Sequence, residues 1–274
     1  MSPRHPVEKY FSDAEISEEA LDRLLCNARE KLEPRMKLIR RSEAAVGIAH
    51  SPLGPLLIAV GPHGLLLVHY LETKSASSGL TVLRLKFDPV EDAKVVGEVG
   101  DQICRFMAGD RTALGYHADL SLVQGDFQRR ALERLMEVPL GAVVTYQALA
   151  ARIGAPHAQR AVGNAMATNP IPIYVPCHRV VRSDGVVGQY GGGTKSKVEL
   201  LRTEGFAIEN QRIPEHAVYG HRKTAIFCKP ECAAAHRADP NNFLIFACSK
   251  TARTAGLKAC ELCLPNDERQ PENH

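Results

Sequence analysis

The chain has 274 residues, 45% hydrophobic and 24% charged, with a formal net charge of +3. That is the balance of a globular protein, and at roughly 100–200 residues per domain the length predicts two domains with a small appendage. Apolar runs such as residues 56–60 and 65–68 fall far short of the ~20 residues of a membrane helix, and Met1-Ser2-Pro3-Arg4-His5-Pro6 has no apolar stretch of the secretory type, so membrane and secreted classes are not expected.

Residues 1–41 open with a capping-box pattern, Ser12-x-x-Glu15, followed by Ile16, Leu21, Leu24, Leu25 and Ala28 at helical spacing, and Pro34 should stop that helix. From Ala44 the period changes. Short apolar runs at 46–49, 56–60 and 65–71 are split by Ser51-Pro52-Leu53-Gly54-Pro55 and Gly61-Pro62-His63-Gly64, which predicts three strands joined by tight turns in an antiparallel sheet. Residues 91–107 read as a helix with Val95, Val96, Val99, Ile103 and Phe106 on its apolar face. Further helices are predicted at 127–136, 146–153, 158–168 and 198–203. The turn Gly154-Ala155-Pro156 gives a helix-turn-helix layout, which any packed helical hairpin shares. Residues 206–218, with Pro214, read as a linker.

The charge is unevenly spread. Residues 141–202 carry a net +5 and residues 219–263 a net +4, so the remainder is acidic. Two basic segments on an otherwise acidic chain are how a nucleic-acid face shows itself, with ordinary charge scatter as the alternative.

Asn169-Pro170-Ile171-Pro172 leads into Val175-Pro176-Cys177-His178-Arg179-Val180. Prolines make a rigid entry that fixes the direction of the cysteine beyond. The adjacent His178 offers a base, and a downstream acid such as Glu204 could orient it; a thiol becomes a good nucleophile only when deprotonated. By spacing alone a buried structural cysteine is the commoner outcome.

Residues 169–205 resemble the O6-alkylguanine-DNA alkyltransferase family. The resemblance rests on the Pro-Cys-His-Arg box, Gly188-x-Tyr190, Gly191-Gly192-Gly193, Lys197, Leu200-Leu201 and Glu204-Gly205. Upstream, Gly125-x-Phe127-Gln128, Pro139-x-Gly141, Thr145-Tyr146-Gln147-x-Leu149-Ala150 and Arg160-Ala161-Val162-Gly163 are similar to it too, so the likeness runs from about residue 44 to 205. It implies that Cys177 accepts the alkyl group from guanine O6. His178 would deprotonate it through a water, Glu204 would hold the imidazole, Asn169 would brace the active-site turn, and Tyr146 would donate a proton or hydrogen bond to the base. The Val180 carbonyl and the loop carrying Tyr190 and Gly191 would grip the base edges. Arg160, with Arg179 as a further DNA-binding cation, would meet the DNA, Arg160 filling the gap left by a flipped nucleotide. Gly191 stands where several relatives have serine, which leaves the choice between methyl and larger alkyl groups open. The S-alkyl product would be a dead end, one turnover per molecule.

Eight cysteines include five crowded at the end: Cys228, Cys232, Cys248, Cys260 and Cys263. Cys228-x3-Cys232 and Cys260-x2-Cys263, separated by 27 residues, suit a tetrahedral four-cysteine zinc site. Cys248 falls outside the pairs, and His236 is a spare candidate. A module this small has too little core to fold without the metal. Residues 219–265 resemble the zinc-binding phosphotriester-repair domain of bacterial Ada, through residues 222–232, His236, Ala255-Gly256 and Cys260-x-x-Cys263-x-Pro265. The resemblance implies that Cys228 is a zinc ligand and a second methyl acceptor. Ala233 and Ala235 replace arginines usual there, and the module follows the alkyltransferase part instead of preceding it, which speaks against a transcriptional role.

The expected fold class is α+β: a small antiparallel-sheet, ribonuclease-H-like part, a helix-turn-helix catalytic domain and a four-cysteine zinc module. The divisions are 1–43 helical extension, 44–120 and 121–206 alkyltransferase, 207–218 linker, 219–265 zinc module and 266–274 disordered tail. The expected function is stoichiometric methylated-DNA–protein-cysteine methyl transfer, with O4-alkylthymine as a second candidate substrate. The cofactor is one Zn2+, and the partner is double-stranded DNA with alkylated guanine, met as a monomer without a membrane. The compartment is intracellular and reducing, cytoplasmic in a bacterium or nuclear in a eukaryote. The rivals are a non-catalytic sensor of alkylated DNA and a purely structural zinc module.

Overall fold

Turn clusters around Gly54 and Gly64 fold the first apolar runs back on themselves. In the computed structural model, which describes residues 41–71, 75–237 and 239–265, they form β1 (Ser42–Ser51), β2 (Gly54–Gly61) and β3 (Gly64–Tyr70), an antiparallel meander. The helix expected within 1–41 and the tail 266–274 lie outside the described residues.

Residues 56–59 are apolar without alternation because both faces of β2 are covered. Leu56 and Ile58 join one core with Val96 and Ile103, while Leu57 and Ala59 join another with Leu83 and Phe87. Two elements escaped the sequence reading: α1 (Ser75–Lys86) and β4 (Phe87–Glu91). β4 lies parallel to β1, giving the order β3-β2-β1-β4, so the expected three-stranded antiparallel sheet is a four-stranded mixed one. Only Phe87 of β4 is buried, and Pro89 sits where an edge strand tolerates it. Next comes α2 (Ala93–Met107), whose buried face is Val96, Val99, Ile103 and Phe106. Asp92 caps it by accepting from Lys94 N and Val95 N at 3.0 and 3.1 Å.

A short 3-10 turn, Leu120–Leu122, leads into α3 (Asp126–Met136), which buries Ala131, Leu132 and Leu135. β5 (Ala142–Thr145) runs straight into α4 (Tyr146–Arg152), with Thr145 Oγ1 accepting from Ala148 N. Gly154, at φ 77°, closes α4: Ala155 N bonds Ala150 O and Gly154 N bonds Ala151 O, a Schellman motif that only a left-handed residue completes cheaply. α5 (Gln159–Ala167) follows, so the expected pair of helices with its glycine turn is present. Beyond a 3-10 turn at Cys177–Arg179 come β6 (Val180–Val181) and α6 (Gly193–Thr203), which starts five residues before the apolar pattern suggested.

The remaining elements are β7 (Val218–His221), β8 (Ile226–Cys228), α7 (Ala233–Arg237), β9 (Phe243–Phe246), α8 (Ser249–Thr254) and β10 (Lys258–Ala259). They do not form a separate sheet. The order β10-β8-β7-β9-β5-β6 is continuous, with Ala142 opposite Phe246 and Val143 opposite Ile245 in the β5–β9 ladder. Within residues 206–218, Phe206, Ile208 and Ala217 are buried and Val187 N bonds Gln211 O, so this stretch is packed against its neighbours. Among the described residues no helix is long and apolar enough to cross a membrane.

Candidate active site and metal centre

The approach to Cys177 is a strained turn. Ile173 is β-branched yet has φ 77°, a conformation that costs about 1–3 kcal/mol and persists only where its surroundings impose it. Asn169 imposes it: its Oδ1 accepts from Ile171 N at 3.0 Å, and its Nδ2 donates to Val175 O at 2.9 Å. The same Nδ2 donates to Cys177 Sγ at 3.1 Å, so the brace of the turn also touches the sulfur. Burial pushes the Cys177 thiol up, while the Asn169 hydrogen bond and the Lys197 charge pull it back.

Glu204 reaches the site from the end of α6. It is the residue before Gly205, whose φ of 100° completes a second Schellman motif through Phe206 N to Leu201 O and Gly205 N to Arg202 O. A carboxylate at a helix C-terminus opposes the helix dipole, and this one is fully buried, so it requires cations and donors. His178 Nε2 lies 2.8 Å from Oε1. Arg179 donates from Nε to both oxygens at 3.0 Å and from Nη2 to Oε1 at 2.8 Å, and Gly141 N donates to Oε2 at 3.4 Å. Burial works against the Glu204 carboxylate, but His178 and Arg179 outweigh it and hold the group at about 2. A carboxylate can only accept, so Nε2 of His178 carries the proton and Nδ1 the lone pair. Burial lowers His178 from its ordinary value, which keeps the resting imidazole neutral. Nδ1 is buried and has no partner among the described residues.

Arg179 therefore departs from its expected place on the DNA side. It is buried, and beyond Glu204 its Nη1 donates to Val138 O at 2.7 Å. A guanidinium committed in this way holds the carboxylate and two chain segments together. All three of its nitrogens thus donate inside the protein, which turns the group inward to Glu204 instead of outward to a phosphate.

Cys177 lies in a pocket of about 370 Å3 lined by Tyr146, Gly163, Asn164, Met166, Tyr190 and Gly191 among others. Thus Cys177, Tyr146, Tyr190 and Gly191 are brought together, with Asn169, His178 and Glu204 behind them. Burial and the nearby Cys177 raise the Tyr146 hydroxyl above its ordinary value, so it stays protonated. The Tyr190 hydroxyl is 3.2 Å from that of Tyr70 on β3, and burial pushes it well above its ordinary value too. A Cβ on Gly191 would meet no atom within 4 Å, so the wall there is open. Arg160 is exposed on α5, the helix that supplies Gly163 and Asn164 to the pocket.

Two participants were not assigned roles from the sequence. Lys197 is fully buried, and its Nζ donates to Val180 O at 2.6 Å and to Gln189 O at 3.3 Å; burial lowers it to about 8. The Val180 carbonyl thus already serves one donor. The signal was legible: 197, 200, 201 and 204 form the i, i+3, i+4, i+7 stripe of α6, and charges at two positions of a buried stripe require partners. Tyr70 gave no comparable signal, since it ends an apolar strand 120 positions from its partner.

The second cluster is the expected one. The sulfurs of Cys228, Cys232, Cys260 and Cys263 all lie within 4.8 Å of one another, and those of Cys232 and Cys260 are 4.0 Å apart. Zinc–sulfur bonds of ~2.3 Å place tetrahedral thiolates ~3.8 Å apart, so these residues fit the ion. Lys229 N donates to Cys263 Sγ at 3.4 Å, the kind of support that orients a thiolate ligand. Cys248 stands apart at the start of α8, where its N–H donates to Thr251 Oγ1 at 3.2 Å. His236 lies on α7.

The family described as "6-O-methylguanine DNA methyltransferase, DNA binding domain" matches residues 126–206, and "Metal binding domain of Ada" matches residues 202–266. A methylated-DNA–protein-cysteine methyltransferase of Methanosarcina barkeri is 36% identical over 159 residues, 57% of this chain and 94% of that protein. The mouse protein of the same name is 55% identical over 84 residues, 30% of this chain and 40% of its own. A crystal structure of a Mycobacterium tuberculosis OGT variant superposes with a TM-score of 0.50 at 34% identity, covering 61% of this chain and 96% of that one.

Proposed function

The chain belongs to the methylated-DNA–protein-cysteine methyltransferase family, and from that premise we propose that it repairs DNA by moving an alkyl group from guanine O6 in duplex DNA to Cys177. One observation carries the reading: a cysteine in an open pocket, hydrogen-bonded by Asn169 and followed in sequence by a neutral histidine locked on a buried glutamate.

The chemistry follows from those groups. A water carries the Cys177 proton to Nδ1 of His178, and the imidazolium that forms is stabilised by Glu204. The thiolate attacks the alkyl carbon; the S–C bond forms as the C–O bond breaks, and guanine leaves with the electron pair. Tyr146, protonated at neutral pH, donates to the departing base and makes it a better leaving group. Lys197 favours the thiolate and holds the Val180 carbonyl, which with the Tyr190–Gly191 loop frames the base edges. The target carbon lies within the stack, so the nucleotide must be flipped out, and Arg160 fills the space it leaves. A thioether resists hydrolysis, so each molecule acts once.

Cys228, Cys232, Cys260 and Cys263 would hold one Zn2+. When bound, the ion keeps sulfur anionic and nucleophilic at neutral pH. The match of residues 202–266 to the metal-binding domain of Ada supports the metal site, and a second transfer, from a methylated phosphate to Cys228, is what the resemblance to the phosphotriester-repair domain implies.

The test is a duplex bearing one labelled O6-methylguanine. The expected result is a stoichiometric, single-turnover loss of label to protein, abolished in Cys177→Ala while DNA binding persists. Label remaining on DNA with the folded, bound wild-type protein would establish a sensor instead.

A further inference from the structure

The turn at residues 138–141 has two sides. Toward the cysteine site, Val138 O accepts from Arg179 Nη1 at 2.7 Å and Gly141 N donates to Glu204 Oε2 at 3.4 Å. On its other side, Gly141 O accepts from Ala247 N at 3.0 Å, and β5 begins its ladder with β9 one residue later. Gly141 has φ 77°, and a Cβ there would stand 2.9 Å from Thr251 Cγ2, so the Thr251 methyl rests on the bare glycine backbone. Two further ties flank this contact: Arg222 Nη1 to Glu137 Oε2 at 3.3 Å, and Arg152 Nη2 to Phe243 O at 3.4 Å.

Ala247 and Thr251 belong to the segment that carries the four cysteines. Thr251 lies on α8, which leads into β10 and then Cys260 and Cys263; β10 pairs with β8, which ends at Cys228. The glutamate that orients the base is thus held from behind by the metal-binding segment.

We infer that the four-cysteine segment is a built-in brace of the alkyl-transfer site, with Ala247 and Thr251 as positioning residues that set Glu204, and through it His178, by way of the Gly141 turn. The inference rests on the proposed alkyl transfer to Cys177 and gives the zinc segment a role in that reaction independent of any chemistry at Cys228. Loosening the segment lets the Gly141 turn relax, and a misplacement near 1 Å costs about 100-fold when a catalytic group must meet its partner in one geometry.

The experiment uses the full chain and separates the methyl of Thr251 from its hydroxyl, which accepts from Cys248 N and donates to Cys248 O at 2.8 Å as a helix cap. Thr251→Ser keeps the cap and deletes the methyl; Thr251→Val keeps a methyl and deletes the cap. Alkylation of Cys177 is followed with labelled O6-methylguanine free base in the absence of DNA, so DNA affinity does not enter. Zinc content and hydrogen exchange of the Gly141 amide are measured alongside. The brace predicts that Thr251→Ser exchanges Gly141 faster and transfers several-fold more slowly with zinc retained, while Thr251→Val keeps the Gly141 protection. It also predicts that the Cys260→Ser/Cys263→Ser double variant loses zinc, Gly141 protection and about tenfold or more in rate. Gly141 protection and rate unchanged in the zinc-free variant would overturn it, as would Thr251→Val impaired with Thr251→Ser normal. Failure of the unmodified chain to take the methyl group would count against the proposed function, whereas Gly141 exchange decides the brace without reference to activity.

Discussion

Replacing Arg179 by alanine leaves the fully buried Glu204 carboxylate with only His178 and the Gly141 N–H as donors. The held value of about 2, against an ordinary 4.5, corresponds to about 3 kcal/mol of stability at neutral pH. The sign is that of a depressed acid: the contribution is complete above about pH 4.5 and is lost as pH falls toward 2. Without Arg179 less offsets the burial that opposes the charge, so Glu204 rises and the acid limb of stability moves toward neutrality. Breaking a buried pair by removing one partner costs about 3–5 kcal/mol, which for a unit of this size lowers the melting temperature by roughly 6–20 °C. Thermal melts between pH 4 and 8 and DNA binding at several salt concentrations measure the two consequences separately. The expected outcome is a large loss of stability, steeper toward acid, with the salt slope of DNA binding unchanged. A variant that melts like the parent and loses one unit of salt slope would return Arg179 to the DNA and refute the reasoning.

Other substitutions separate the roles of the remaining groups. Asn169→Ala removes the donor on Cys177 Sγ and the brace of the strained turn; it should cost about 1–3 kcal/mol and raise the Cys177 thiol, read by urea denaturation and by the pH dependence of thiol alkylation. Arg160→Ala, at an exposed position, should leave stability within about 0.5 kcal/mol and transfer from free base unchanged, while slowing transfer from duplex DNA. Gly192→Ala would place a Cβ 2.4 Å from the Tyr70 ring, so it should cost about 1–3 kcal/mol and part Tyr70 from Tyr190, seen in melts and in tyrosine absorbance titrations. Gly191→Ser meets open space and should keep full stability while slowing transfer of bulky alkyl groups relative to methyl. Since His178 is lowered by burial, the transfer rate should fall on acidification at a lower pH than an ordinary histidine base would give, read from the pH–rate profile.

Chain-local signals were well read. The apolar spacing of 96, 99, 103 and 106 located α2 because one helical face alone meets the sheet, and Gly154 marked the turn between α4 and α5 because the Schellman closure requires its positive φ. The residues that the family resemblance singled out come together, Cys177 and Tyr146 in one pocket with Asn169 on the sulfur, and the four cysteines that spacing paired form one cluster. What escaped was non-local. β4 has one buried residue in five and a proline, so neither alternation nor propensity marks it. β5 and β9 are short runs buried on both sides, and nothing in four apolar residues names a partner a hundred positions away. Arg179 was misplaced for the same reason: beside a reactive cysteine an arginine reads as a phosphate contact, and only the fold brings Glu204 within 3.0 Å of it.

The most direct test of alkyl transfer to Cys177 is peptide-resolved mass spectrometry after incubation with a duplex holding one O6-methylguanine and no phosphate triesters. A single methyl on the peptide containing Cys177, with Cys228 unmodified, is the predicted result. An unmodified Cys177 in folded, DNA-bound protein would contradict it.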